Sequence, residues 1–274
     1  MLFAVLALAC TGLSAASARP QASAPTVGPR AAQSFDGIAA LSNCSAALVR
    51  WPSSRPRDTA LVLTNGHCIG GGYLRAREVV GDRPSRRTVR LLDDDASVRV
   101  TLRTRRLIYA TMFKTDVALY SLRPTYRRLQ NRYGVSALTV AARPAGVGSR
   151  LAVVSGYWKR TYRCSHHGVV HRLHEGPWDW WQSVRYSNDG CRIVGGTSGS
   201  PVIHPGARRV LAVNNTLNED GRRCLRDNPC EESRRGRISV HPGRGYAQQT
   251  WWLTTCVRRD RSFDPDKPGC RLPG

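Results

Sequence analysis

Lysine is almost missing from this chain. Only Lys114, Lys159 and Lys267 stand among 42 basic residues, against 19 acidic ones, for a formal charge of +23. So strong an arginine bias suits a GC-rich coding genome as much as a binding surface. The arginines are spread along the whole chain, and in Val98–Arg103 they alternate with apolar residues, as on a half-buried strand with a solvated face. The charge therefore specifies no nucleic-acid partner, although it suits adhesion to acidic polymers. Long apolar runs are scarce as well. Leu2–Ala9 is too short to span a bilayer, so no stable membrane association is expected. No C-x-x-C pair occurs, which weakens a metal reading of the cysteines. Internal repeats and helical periodicity are also lacking, which excludes a βα alternation.

The chain has 274 residues, enough for one large β domain or two small ones, and its 41% apolar content makes it globular rather than disordered. Met1 to Ala18 carries no charge and ends in Ala16-Ser17-Ala18, the pattern of a secretory signal with an A-x-A cleavage site. A rival reading makes Cys10 the acylated residue of a lipoprotein, but Ala7-Leu8-Ala9 puts alanine where leucine is expected. Without Cys10, eight cysteines remain: Cys44, Cys68, Cys164, Cys191, Cys224, Cys230, Cys256 and Cys270. An even set behind an export signal reads as four disulfides in a secreted, extracellular protein, with connectivity open at this point.

Arg19 to Gln33 is rich in Ala, Pro and Ser without periodicity, as in a propeptide or flexible leader. From Phe35 short apolar runs alternate with turns. Strands are expected at 38–41, 45–49, 60–63, 98–102, 107–111 and 117–121, and again at 136–140, 150–155, 182–186, 201–204 and 209–214. Polar, basic Arg123–Tyr133 reads as the link between two halves. Asp93-Asp94-Asp95 reads as a solvated turn, since no calcium-ligand spacing accompanies it. Tyr246–Thr255 suits a strand or a terminal helix, and the rest is a tail. Such spacing argues for an all-β sandwich or barrel.

Three segments carry chemistry: Thr64-Asn65-Gly66-His67-Cys68, Thr115-Asp116-Val117-Ala118-Leu119, and Gly195-Gly196-Thr197-Ser198-Gly199-Ser200-Pro201. A serine hydroxyl needs an adjacent base, and that base needs a third group to fix its tautomer and stabilise its cation. His67 lies 49 residues before Asp116, and Asp116 lies 82 before Ser198, so only the fold can assemble them. The glycines let the backbone turn tightly at Ser198, where the N–H groups of Gly196 and Ser198 can converge on an oxyanion. An α/β-hydrolase would need G-x-S-x-G and the order Ser, Asp, His, but Ser200 stands in the last glycine's place and His67 comes first. A cysteine peptidase would need a free thiol, which the even count disfavours.

These three segments, in this order, resemble those of the chymotrypsin/trypsin-like serine peptidases, in particular the secreted bacterial branch. The resemblance spans roughly Phe35–Cys256. It implies two six-stranded antiparallel β-barrels with the active site in the cleft between them. It also implies His67 as general base, Asp116 as its orienter and Ser198 as nucleophile, acting on a protein or peptide substrate without a cofactor. The resulting division is a signal peptide at 1–18, a leader at 19–34, an N-terminal barrel at 35–128, a C-terminal barrel at 129–256 and a stapled tail at 257–274. The resemblance suggests a Cys44–Cys68 disulfide. By elimination and proximity, Cys164 is then paired with Cys191, Cys224 with Cys230, and Cys256 with Cys270.

The sequence also departs from that pattern. Asn65-Gly66 stands where the family favours small alanines. Thr197 replaces the aspartate that many members keep before the serine, and no Ile-Val-Gly-Gly start precedes Cys44, so activation by N-terminal insertion is not expected. Arg192 stands six before the serine, where trypsin-like members keep an acid, which points away from Arg/Lys preference and toward acidic substrates. Val213 and Asn214 join Arg192 as candidate substrate contacts, with strand Val210–Asn214 pairing to the substrate backbone. His166, His167, His171 and His174 lack a fourth metal ligand and read as a solvated hairpin, with no metal expected. Trp178, Trp180 and Trp181 suit core packing better than ligand stacking. A monomeric endopeptidase is the reading reached; the rival is a binding module on a peptidase fold that recruits acidic polymers.

Overall fold

The structure, a computed structural model, describes Met1 and residues 33–274, so the expected signal peptide, Cys10 and most of the expected leader lie outside the described residues. Apolar runs of three to nine residues, each ended by a turn, cannot bury themselves alone and close instead into sheets. The first half supplies β1 (Ile38–Ala40), β2 (Ser45–Arg50), β3 (Thr59–Thr64), β4 (Val79–Pro84), β5 (Thr88–Leu92), β6 (Val98–Thr111) and β7 (Val117–Thr125). Strands β1, β2, β3, β7, β6 and β5 pair in that order, and β5 returns to β1 through Ala39 opposite Leu91, closing an antiparallel barrel. Leu48, Val62, Val89, Leu91, Ala118 and Leu122 fill it with no exposed surface.

The second half supplies β8 (Leu138–Val140), β9 (Arg150–Ser155), β10 (Arg160–Glu175), β11 (Trp178–Tyr186), β12 (Pro201–Ile203), β13 (Arg209–Leu217), β14 (Cys230–Glu232), β15 (Ile238–Ser239) and β16 (Gly245–Gln249). Six of these strands close a second ring in the order β9, β10, β11, β16, β13, β12. Short β8 lies outside both rings and joins them by parallel pairing, Val49 opposite Leu138 on one side and Val210 opposite Val140 on the other. The fold is thus all-β with two six-stranded barrels, and it departs from antiparallel pairing at this bridge and at a single parallel bridge between Lys114 and Trp180 of β11.

Some local expectations change. Arg123–Tyr133, read as the link between the halves, ends β7 and then forms helix α1 (Tyr126–Tyr133). Thr125 caps it by accepting from the Arg128 N–H at 3.3 Å, Gly134 closes it in the left-handed conformation, and Leu129 is buried. Tyr246–Thr255 is both strand and helix, since Thr250 breaks β16 before α2 (Trp251–Thr255). The histidine-rich stretch is a hairpin, as expected, the long β10–β11 hairpin, but it is not wholly solvated, since His166 is buried. Four disulfides are present: Cys44–Cys68, Cys164–Cys191, Cys224–Cys230 and Cys256–Cys270. The last staples the tail, whose Leu272 is buried and whose Pro273 carbonyl accepts from Tyr109 of β6 at 2.7 Å.

Candidate active site

His67 follows β3 in a single 3-10 turn, Gly66–Cys68, which the Cys44–Cys68 disulfide ties to the approach to β2. Only glycine fits before it: a Cβ on Gly66 would stand 2.1 Å from the Thr111 carbonyl oxygen and 2.9 Å from Asp116 Oδ1. Asp116 enters β7 and has no exposed surface. Both of its oxygens turn to His67. Oδ2 lies 2.6 Å from ring Nδ1 and Oδ1 accepts the His67 backbone N–H at 3.0 Å. A buried carboxylate with two such partners fixes ring and tautomer together. Burial disfavours the imidazolium, but the Asp116 charge and its hydrogen bond outweigh that, with Glu175 and Asp227 adding to them, so the His67 pKa is raised. Ring Nε2 has no hydrogen-bond partner among the described residues.

Ser198 sits in the turn before β12. Its carbonyl accepts the Ser45 N–H at 2.8 Å, and its hydroxyl donates to the Asn215 carbonyl at 3.1 Å. The structure therefore brings His67 and Asp116 into contact and puts His67 and Ser198 on one cleft of about 410 Å³, but it shows no His67–Ser198 hydrogen bond. Neither the Gly196 nor the Ser198 N–H donates to a protein acceptor among the described residues. The Gly195 carbonyl is held by the Trp158 indole N–H at 2.9 Å, and across a trans peptide this turns the Gly196 N–H to the opposite side. Gly199, at φ +77°, is pressed against the first barrel: a Cβ there would stand 2.1 Å from the Ser45 carbonyl oxygen.

Two of the three candidate substrate contacts do not reach this cleft. Arg192 is exposed and outside its lining, because its neighbours Cys191 and Ile193 are the ones buried; Ile193 fills the space over Gly245, where a Cβ would come within 2.5 Å of Cδ1. Val213 is buried in the core between the barrels. Asn214 does line the cleft, but its amide is engaged, donating to Thr197 at 3.1 Å and accepting from Tyr186 at 3.1 Å. Strand β13 is paired with β12 on one side and with β8 and β16 on the other over Val210–Val213, so that stretch cannot take an added strand. Beyond Asn214 it pairs only with β16, which leaves the edge of Asn215–Leu217 open beside Ser198. Asn215 is buried there with neither its Oδ1 nor its Nδ2 hydrogen bonded.

The histidines of β10 do not converge. His166 is buried between the Gly146 and Gly168 carbonyls, and burial lowers its pKa; His167 meets Arg244, His171 meets Trp181, and His174 bridges Asp179 and Glu232. Cys44, His67 and Cys68 lie close together, but both sulfurs are spent in one disulfide, so no thiolate remains for a metal. Trp178 and Trp180 are buried, and their indole N–H groups donate to the Leu74 and Met112 carbonyls of the first half.

Two polar residues escape the sequence reading. Asn65 is fully buried; its Nδ2 donates to the Asp116 carbonyl at 2.8 Å, and its Oδ1 accepts the Gly199 N–H at 2.5 Å. It thus joins the Asp116 segment to the Ser198 turn, and its place two before His67 was the available signal. Glu175, at the end of β10, is the other. It is 5% exposed yet lines the cleft, and no motif marks it.

A model of the trypsin-like peptidase domain matches residues 49–213. No curated protein matches the chain. Similar solved structures include the active form of Rv3671c protease from M. tuberculosis, at 14% identity and TM-score 0.49, covering 94% of this chain and 97% of that one. The MamO protease domain from Magnetospirillum magneticum shares 11% at TM-score 0.49, covering 82% and 98%. Thermobifida fusca Protease A shares 15% at TM-score 0.43, covering 80% and 92%. The domain match spans more than half of the sequence, and the chain therefore belongs to the trypsin-like peptidases, as a serine-type endopeptidase.

Proposed function

We propose that the chain cleaves peptide bonds through Ser198, His67 and Asp116 by way of an acyl-enzyme. The observation that carries this is the buried Asp116–His67 pair, whose free Nε2 opens on the cleft that Ser198 also lines. Rotation of Ser198 about χ1 takes its hydroxyl from the Asn215 carbonyl toward that nitrogen, a hop between staggered wells that a bound substrate would favour. His67 takes the hydroxyl proton as Oγ bonds to the substrate carbonyl carbon. The Gly196 and Ser198 N–H groups receive the oxyanion, and His67 returns the proton to the leaving amine. Water, deprotonated by His67 in turn, then releases the acid and frees Ser198. The open edge of Asn215–Leu217 is suited to hold the substrate backbone as an added strand.

The test is a fluorophosphonate probe on the purified protein. Labelling of the wild type and not of Ser198→Ala is expected; equal labelling of both overturns the assignment. We further propose that the protein is exported and acts outside the cell. Four disulfides need an oxidising compartment, and no helix among the described residues is long and apolar enough to cross a membrane. Mass spectrometry of the N-terminus of the mature protein from culture medium tests this; a protein retained in the cell with residues 1–18 uncleaved overturns it.

A further inference from the structure

The cleft has the opposite charge to the rest of the molecule. Arginine and lysine make up 42 of the residues of a chain with a formal charge of +23, yet none of them lines the cleft. Three carboxylates do: Glu175, Glu219 and Asp227. Glu219 and Asp227 are exposed at the rim, where Arg226 reaches Asp227 at 3.8 Å and lies over the Tyr73 ring. Glu175 differs. It is 5% exposed, its Oε1 accepts the Asp227 N–H at 3.0 Å, and its Oε2 is buried with no hydrogen-bond partner. A buried carboxylate oxygen left without a donor is costly, and a native fold keeps one where something else supplies the donor.

Placement says what that donor is. Glu175 lies at the cleft end of the β10–β11 hairpin, beside Thr216 on the open edge of β13 and within electrostatic reach of His67. A polypeptide laid along Asn215–Leu217 toward Ser198 passes its side chains over this carboxylate. The loop that carries Asp227 is closed by Cys224–Cys230, and the Cys224 carbonyl accepts the Gly176 N–H at 2.8 Å, so the acidic rim and the hairpin end are tied together. Tyr73, stacked on His67 with ring centroids 5.8 Å apart, already carries the Arg226 guanidinium over its ring, so an arriving cation is left to the carboxylates.

We propose that Glu175 is a specificity-determining residue that selects substrates carrying an arginine or lysine side chain in this cleft, with Glu219 and Asp227 drawing the cation in. This rests on the peptidase reading above and reverses the acidic preference expected from Arg192. Burial lifts the Glu175 carboxyl to about 7, opposed in part by the Thr216 hydroxyl and the Asp227 N–H. A cation arriving at Oε2 would favour its ionised form and gain a charge-assisted bond out of water.

The experiment separates binding from turnover. Fluorescein-labelled hexapeptides with Arg, Gln or Glu scanned through each position are titrated against Ser198→Ala, followed by anisotropy at roughly 0.15 M salt, where exposed charges are screened beyond about 8 Å. At one position arginine is expected to bind on the order of tenfold or more tighter than glutamine, and Glu175→Gln in the same background to remove that ratio. Arg172→Gln, which alters charge outside the cleft lining, is expected to leave it. Equal affinities for Arg and Gln at every position, a preference for Glu, or a ratio that survives Glu175→Gln overturns the inference. The wild type is assayed on the same peptides: binding preference without cleavage defeats the peptidase reading alone, while cleavage without preference defeats this inference alone.

Discussion

Replacing Glu175 by glutamine is expected to stabilise the protein, and to do so only above acid pH. The carboxyl ordinarily titrates at 4.5, and burial, opposed more weakly by the nearby Thr216 hydroxyl and the Asp227 N–H, lifts it to about 7. Between those values the unfolded chain gives up the proton and the folded chain keeps it. Stability therefore falls as pH rises through this window, and the loss is complete above the folded value. At 1.36 kcal/mol for each pH unit, the cost at neutral pH and above is about 3 kcal/mol. Glutamine keeps an oxygen for the Asp227 N–H and, like the protonated acid, puts an uncharged donor group where Oε2 now lies, with two N–H against the acid's one O–H. The gap between the two forms should thus be smallest near pH 4 and widen toward pH 8. For a domain of this size about 3 kcal/mol is roughly 6–12 °C in Tm. The measurement is thermal unfolding of Ser198→Ala with and without Glu175→Gln, from pH 4 to 8, the serine being removed to prevent self-cleavage. A difference that does not change with pH, or a variant that loses stability as pH rises, refutes the reasoning and means that a donor already pairs the carboxylate. The same substitution is expected to weaken selection of basic substrates, so stability and selectivity would move in opposite directions.

Other perturbations follow from the same geometry. Asn65→Ala removes the amide between the Asp116 carbonyl and the Gly199 N–H, and should cost roughly 2–4 kcal/mol in urea unfolding while lowering kcat more than it raises KM; an unchanged kcat would make Asn65 merely structural. In the proposed mechanism His67 acts as a base only when neutral, and its pKa is raised, so kcat/KM should fall with falling pH on a limb centred above 6.5. Asp116→Asn should move that limb downward and cut kcat by about 10⁴, and a limb that stays in place would show that another group titrates. Trp158→Phe frees the Gly195 carbonyl and lets the next peptide rotate, so kcat and the affinity of a peptide aldehyde should fall together, by roughly tenfold, with KM little changed; loss in KM alone would place the indole in substrate binding.

What could be read in advance and what could not differ in physical kind. The His67, Asp116 and Ser198 segments are short strings of chemistry flanked by apolar runs, and the two-barrel fold lies behind the turn-cut strands on either side. Helix α1 was hidden because its two buried residues, Tyr126 and Leu129, give too little periodicity to outweigh Arg127, Arg128 and Arg132. Strand β5 was hidden by Arg90 on its solvated face and by Arg86 and Arg87 just before it, although Val89, Leu91 and Leu92 are fully buried. The pocket was misjudged for a different reason. Counting six residues back from Ser198 finds Arg192, but the chain there turns Cys191 and Ile193 inward and Arg192 outward. Glu175 reaches the cleft only because the hairpin that carries it is long and leans on the other barrel, and neither length nor lean is written in local sequence.

That lean links catalysis to selectivity. Reacting groups on two barrels must stay registered, since a misplacement of about 1 Å can cost on the order of a hundredfold in rate. Here four ties across the boundary end on backbone groups: the Asn65 amide on Gly199, the Ser198 carbonyl on Ser45, and the Trp178 and Trp180 indoles on Leu74 and Met112. Backbone groups in a packed interior shift less than long side chains, so such ties fix position as well as affinity. The two tryptophans also hold the hairpin end where Glu175 is buried. Removing a core tryptophan typically costs about 3–5 kcal/mol, so either anchor matches or exceeds the roughly 3 kcal/mol that the buried carboxyl forfeits at neutral pH. An unpaired carboxylate could not stay in the cleft on a loosely held loop, because swinging out to water would relieve it. It stays because the element that locks the barrels together leaves it no other place.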